Sequence, residues 1–244
     1  MQEYREYWDT ICGTRLFNGF ADGEIEQALG CLSGVVGTYE RKQTIFRTDD
    51  VLDAAGIILS GQVLLCKDNM AGTRIIFSEL ECGDIVGETA LRQSREESGY
   101  EAVAGAECKI LFVQIGKIVS PGRETCHLRA RIIENMMALL LENNRAVYRK
   151  LDLVSHKSLR DRIMHYLTLQ AQKNNGTSFE IPFSRSELAD YLTADRSALS
   201  RELQRMAQDG LIAFSGNRFE LLDETVPTEP AAPRRSPSRV KRTL

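Results

Sequence analysis

The sequence is short of what an enzyme of this length usually carries. Among 244 residues there are three histidines, one tryptophan and six prolines. His127, His156 and His165 share no metal-like spacing and read as surface or helix-end side chains. Cys12, Cys31, Cys66, Cys82, Cys108 and Cys126 include no C-x-x-C pair, which argues against a zinc knuckle or an iron–sulfur run. Buried free thiols are the expectation for them. There is no Walker-type phosphate loop and no nucleophile–base motif, so neither a catalytic residue nor a metal ligand set is expected. Apolar runs stay well below the ~18 to 20 residues a membrane span needs. The opening Met-Gln-Glu-Tyr-Arg-Glu-Tyr-Trp is polar and acidic, unlike a signal peptide. A cytoplasmic protein without a membrane partner is the expectation.

What is present describes a globular chain. Hydrophobic residues make up 43% and charged residues 27%, and the length suits two domains. The net charge of −3 is unevenly placed: residues 155–244 carry 14 Lys and Arg against 11 Asp and Glu, so the basic excess sits in the last third.

The first 34 residues place Trp8, Ile11, Leu16, Phe17, Phe20, Ile25 and Leu29 at helical intervals, with a helix start near Asp22. From Val35 to about Val119 short apolar runs alternate with glycine or acidic turns, the pattern of a β-barrel or roll. Within it, Gly83-Asp84-Ile85-Val86-Gly87-Glu88-Thr89 brackets an apolar pair with glycines, permitting a tight bend with backbone exposed toward a ligand.

Residues 122–154 predict one long helix. Cys126, Ala130, Ile133, Met137, Leu140, Asn144, Val147, Leu151 and Val154 recur at alternating steps of four and three, a two-stranded coiled-coil seam. Ile132, Met136, Leu139 and Ala146 form a second apolar stripe. Two stripes imply two partners: the roll, and a second copy meeting residues 126–154. Asn144, polar within the seam, either fixes register or reaches a ligand in the roll.

A further helix is expected from His156 to Gln172. Ser184 and Glu187 then have capping-box spacing, and Leu188, Ala189 and Leu192 follow at helical intervals. After a break at Thr193-Ala194, Asp195 caps a second helix with Leu199, Leu203 and Met206 inward. Arg196, Ser197, Ser200, Arg201 and Arg205 face outward, and Gly210 ends the helix. Leu211 to Leu222 reads as a hairpin around Ser215-Gly216-Asn217. A helical hairpin with a solvated basic face would explain the helices, but the added β-hairpin makes a winged helix-turn-helix. Residues 224–244 read as a disordered basic tail, either merely solvated or a phosphate-binding arm.

In this order the chain resembles the Crp/Fnr superfamily of bacterial transcription regulators. The resemblance spans roughly residues 15–222 and rests on Ile58-Leu59-Ser60-Gly61-Gln62-Val63, Gly83 to Glu88, Leu188 to Leu192 and Asp195 to Arg201. It implies an α+β fold: N-terminal helices with a jelly-roll-like β-roll effector domain (1–121), a dimerisation helix (122–154) and a winged helix-turn-helix (155–223). It implies a homodimer on double-stranded DNA with a two-fold symmetric site, meeting RNA polymerase if it activates. DNA contacts would come from Ser184, Arg185, Arg196, Ser197, Ser200 and Arg201. An effector pocket would be lined by Gly87, Glu88, Thr89, Ser98, Gly99, Tyr100, Asn143 and Asn144.

Two departures matter. The residue after the first recognition arginine is Ser197 where the family usually has an acid, so the usual site sequence is not assumed. The Arg-Ser pair that holds a cyclic phosphate is replaced, without a gap, by Ser98-Gly99. Cyclic AMP is therefore not expected, and the effector is left open. The two cysteines near the N-terminus are too few and too far apart for an oxygen-sensing cluster, and no haem axial ligands are identifiable. The alternative is a constitutive DNA-binding regulator whose roll serves only as a dimerisation scaffold.

Overall fold

The computed structural model describes residues 5–70, 72–91, 97–119 and 128–222. The chain divides into two compact units, Met1–Leu151 and Asp152–Leu244.

In the first unit, α1 (Trp8–Gly13) and α2 (Asp22–Leu32) precede eight strands. These are β1 (Val35–Tyr39), β2 (Thr44–Phe46), β3 (Ala55–Ser60), β4 (Val63–Asp68), β5 (Arg74–Leu80), β6 (Ile85–Val86), β7 (Glu101–Ala104) and β8 (Cys108–Val113). They pair as two antiparallel four-stranded sheets, in the orders β1-β8-β3-β6 and β2-β7-β4-β5. Strand periodicity sorts the core. Ile58 on β3 and Cys108 and Ile110 on β8 join Phe46, Val63, Leu80, Ala102 and Ala104 in a cluster drawn from both sheets. Their neighbours Ile57, Leu59, Leu111 and Val113 point the other way and pack with Ile11, Leu16, Phe17, Ile25 and Leu29. The β3 strand is thus apolar on both faces, which is why it reads as a continuous run. The β3–β4 turn needs Gly61, whose φ is +83° and where an added Cβ would lie 2.1 Å from the Glu107 carbonyl oxygen.

After α3 (Gly116–Val119), the long helix α4 covers Arg129–Ser155. The expected start at residue 122, Cys126 and His127 lie outside the described residues. The two stripes part as their spacing implied. Ile132 and Met136 are 3% and 6% exposed and sit in the helix-side core beside Leu128, with Leu139 packed against it. On the seam, Met137, Val147 and Leu151 are 62%, 64% and 61% exposed. Polar contacts fix the docked face: Asn135 Nδ2 donates to the Leu16 and Asn18 carbonyls at 2.9 Å, and Arg131 pairs with Glu24 at 2.8 Å.

The second unit contains α5 (Leu159–Lys173), β9 (Ser178–Glu180), α6 (Arg185–Tyr191), α7 (Arg196–Gln208), β10 (Ile212–Ser215) and β11 (Arg218–Leu221). Helix α5 starts three residues later than the expected His156, because Ser158 caps it by accepting the Asp161 N–H at 3.0 Å. His156 thus lies between α4 and α5. Strands β10 and β11 form the hairpin and β9 joins its edge, with Phe179 opposite Phe219. The thiols also depart from expectation: Cys66 and Cys108 are buried, but Cys31 and Cys82 are exposed. Burial pushes the Cys66 and Cys108 thiols up to about 11.

Candidate nucleic-acid interface and effector pocket

The helix-turn-helix is assembled by local chemistry. Ser184 Oγ accepts the Glu187 N–H at 3.3 Å and the Glu187 carboxylate accepts the Ser184 N–H at 2.6 Å, closing the capping box of α6. At the other end, the Thr193 N–H reaches the Asp190 carbonyl and the Ala194 N–H the Ala189 carbonyl. That is a Schellman closure, with Thr193 in the left-handed region at φ +52° where glycine is usual. Asp195 Oδ1 then accepts the N–H groups of Ser197 (2.8 Å) and Ala198 (3.0 Å), starting α7. The Ser197 hydroxyl and these two N–H groups hold the Asp195 carboxyl below its ordinary value, with Arg201 adding a smaller effect. A second Schellman closure, Leu211 N–H to Met206 and Gly210 N–H to Ala207, ends α7 at Gly210 with φ +73°.

Two arginines that the sequence reading did not single out position this element. Arg162 of α5 donates through Nη1 to the carbonyls of Leu192 (2.6 Å) and Thr193 (3.0 Å), clamping the turn. Arg160 reaches Glu202 at 2.6 Å and Asp209 at 2.7 Å, tying α5 to two points along α7. Both lie on the preceding helix, and no short-range pattern marks them.

The expected DNA contacts divide into two groups. Arg196 and Arg201 are exposed in the first two turns of α7, and neither guanidinium makes a hydrogen bond or ion pair within the described residues. The other four are engaged within the protein. Ser184 serves as a cap, the Ser197 hydroxyl donates to Asp195 at 2.6 Å, and the Ser200 hydroxyl donates to the Arg196 carbonyl at 3.0 Å. Arg185 lies half-buried over Phe214 and Phe219, at 5.1 and 5.2 Å, and donates to the Gly216 carbonyl at 2.8 Å. Desolvation lowers its pKa, and its guanidinium holds the hairpin against α6.

The expected pocket is also brought together only in part. Gly87, buried at φ +77°, turns the chain after β6, and Glu88 and Thr89 follow in a single 3-10 turn. The Tyr100 hydroxyl donates to Glu88 Oε2 at 2.9 Å. Burial and the adjacent carboxylate both raise the Tyr100 pKa, so the phenol stays protonated and stays a donor. Ser98 and Gly99 brace a neighbouring loop. The buried Ser98 hydroxyl meets the Arg47 carbonyl at 3.0 Å and that of Tyr100, and the Gly99 N–H donates to Thr48. Asn143 is partly buried and Asn144 exposed, and no hydrogen bond joins either to Glu88 or Tyr100 among the described residues.

A two-sheet roll and a capped helix-turn-helix with a β-hairpin in one chain define a class of DNA-binding transcription regulators. Known proteins agree. Residues 36–119 match the cyclic nucleotide-binding domain and residues 161–225 the Crp-like helix-turn-helix domain, together more than half of the chain. The cyclic AMP receptor protein of Thermus thermophilus is 26% identical over 209 residues, 86% of this chain and 93% of that one. The transcriptional activator FnrL of Cereibacter sphaeroides is 24% identical over 196 residues, 77% of this chain and 76% of its own. The fold is shared with the c-di-GMP-responsive global regulator CLP of Xanthomonas campestris, at TM-score 0.68, 19% identity, and 83% and 100% coverage. The chain belongs to the Crp/Fnr family of transcription regulators.

Proposed function

We propose that this regulator binds a two-fold symmetric DNA site as a homodimer. Residues 122–154 pair two copies, and residues 155–223 of each copy read one half-site, with Arg196 and Arg201 of α7 as the base-reading side chains. The observation that carries this reading is the contrast among the arginines: the guanidiniums of these two are exposed in the first two turns of α7 and make no hydrogen bond or ion pair among the described residues, while Arg160, Arg162 and Arg185 are engaged internally. Helices of this kind enter the major groove by their first turns, where an arginine can meet guanine O6 and N7 together. The exposed seam of Met137, Val147 and Leu151 supports pairing. Exposed Asn144 shares that face, which favours the register role over the ligand role. A regulator that reads DNA would work beside it in the cytoplasm, and no helix among the described residues is long and apolar enough to cross a membrane.

The effector-responsive point is the Glu88–Tyr100 pair. A hydroxyl-bearing effector would have to displace the Tyr100 phenol from Glu88, shifting the population between dimers that fit the groove spacing and dimers that do not. The same hydrogen bond also favours the second reading, because Glu88 is satisfied without an effector. In that case the roll is a scaffold and binding is constitutive.

The test is site selection from a random duplex pool at one stated salt concentration, with and without cell extract, followed by Arg196→Ala. A symmetric site with half-sites one helical turn apart is expected. The substitution should cost about 1–3 kcal/mol and relax one base position per half-site. Unchanged affinity and preference in Arg196→Ala would overturn the assignment, and equal selection with and without extract would establish the constitutive reading.

A further inference from the structure

Nothing in the sequence pairs His156 with His165, but the break between α4 and α5 does. Their ring centroids lie 4.9 Å apart at an interplanar angle of 41°. Asp152, one helical turn before His156, has Oδ2 3.5 Å from His165 Nε2. One ligand atom from each of Asp152, His156 and His165 lies within 4.8 Å of the other two. All three belong to the C-terminal unit.

An ordinary ion pair accounts for only part of this arrangement. Asp152 can satisfy His165, but His156 Nε2 is shut off from solvent and has no hydrogen-bond partner among the described residues. Leaving such a buried nitrogen unsatisfied is destabilising. A cation that takes Nε2 as a ligand would satisfy it.

The dimensions suit a transition metal. Bonds of about 2.0–2.1 Å in a tetrahedral shell set neighbouring ligand atoms about 3.3–3.4 Å apart. The Asp152–His165 separation of 3.5 Å is nearly that already. The remaining pairs, within 4.8 Å, close by side-chain rotation. Two imidazoles and one carboxylate are the donors preferred by zinc, cobalt and nickel ions. Calcium and magnesium take oxygen shells, and copper(I) takes sulfur. Three protein ligands leave a fourth position for water or a further ligand.

We propose that Asp152, His156 and His165 form a binding site for a divalent transition-metal ion of the zinc class, cross-linking the end of α4 to α5 within the C-terminal unit. The ion secures the helix that carries Arg160 and Arg162, and so supports the turn and the α7 helix that those arginines hold. Such a site would make the DNA-reading element responsive to metal, independently of anything bound in the roll.

The experiment uses full-length, chelator-stripped protein titrated with Co²⁺ and then Zn²⁺. One equivalent of Co²⁺ per chain is expected, with visible d–d bands of a nitrogen- and oxygen-ligated ion that Zn²⁺ abolishes. Zn²⁺ should also raise the unfolding midpoint, because it binds only the folded form. His156→Ala and His165→Ala should each weaken Zn²⁺ binding by at least about tenfold. Asp152→Asn, which keeps the side-chain shape, guards against misfolding and should do the same. Cys31→Ser and Cys82→Ser, which remove the exposed thiols among the described residues, should leave binding unchanged. Absence of Co²⁺ bands, binding that survives His156→Ala and Asp152→Asn, or binding lost on removing a thiol would each overturn the proposal.

Discussion

Replacing Val147 with aspartate tests the pairing surface with little risk to the single chain. Val147 is 64% exposed on α4, so its own unit scarcely depends on it. Fully burying such a side chain is worth about 1.5–3 kcal/mol, so covering the exposed share contributes about 1–2 kcal/mol per chain, and a two-fold interface counts it twice. Val147→Asp removes that gain and forces two carboxylates out of water near each other, at a further ~1 kcal/mol or more each. The dimer should lose about 4 kcal/mol or more, a dissociation constant raised on the order of 10³-fold. Sedimentation equilibrium of wild type and variant over a wide concentration range measures this directly, with far-UV circular dichroism confirming an intact fold. Ile132→Asp, on the buried stripe, should unfold the first unit instead. A Val147→Asp protein that self-associates with the wild-type constant would refute the seam as the interface.

Arg162→Ala should lower the stability of the C-terminal unit by about 2 kcal/mol, since hydrogen bonds from charged donors are worth about 1.5–3 kcal/mol and this side chain is partly exposed. Denaturant unfolding measures it, and an unchanged midpoint would remove the clamp. The Asp195 cap has a definite pH direction. Its folded-state pKa is depressed below 3.8, so its contribution is present above the ordinary aspartate value and lost as the pH falls through the lowered one. Amide exchange at Ser197 and Ala198 should therefore accelerate in acid in the wild type and lose that acid step in Asp195→Asn, which still caps. The same acid profile in both proteins would contradict the cap's charge dependence.

The parts legible in the sequence are those whose chemistry lies within a few residues. The Ser184–Glu187 box, the Asp195 cap and the Gly210 stop are each closed by atoms two to five residues apart, so spacing alone identifies them. The two stripes of α4 were likewise readable from periodicity. Strand order was not, because β1-β8-β3-β6 depends on which distant segments pair. Side-chain partners were not readable for the same reason. Arg185 is among the expected DNA contacts because its charge and its place beside the capping box are visible in a sequence, whereas Phe214 and Phe219, about thirty residues on, are not visibly its neighbours. Ser98 looked like a pocket residue by alignment, yet its hydroxyl braces the Arg47–Thr48 backbone. His156 and His165 have no motif spacing; the break before α5, a helix that starts three residues later than expected, brings their rings together.

The internal engagement of Arg160, Arg162 and Arg185 also bears on how the protein lets go of DNA. Each phosphate neutralised by an arginine frees condensed counterions, and affinity then falls with salt by about 0.9 log units per log unit for every such contact. An arginine held on Phe214, on Glu202 or on the Leu192 carbonyl frees none. The described part of this unit therefore grips less by bulk charge than its composition suggests. With Arg196 and Arg201 as the proposed readers, more of the preference would come from the head of α7, and residence on random sequence should be short and discrimination should survive swings in cellular ionic strength.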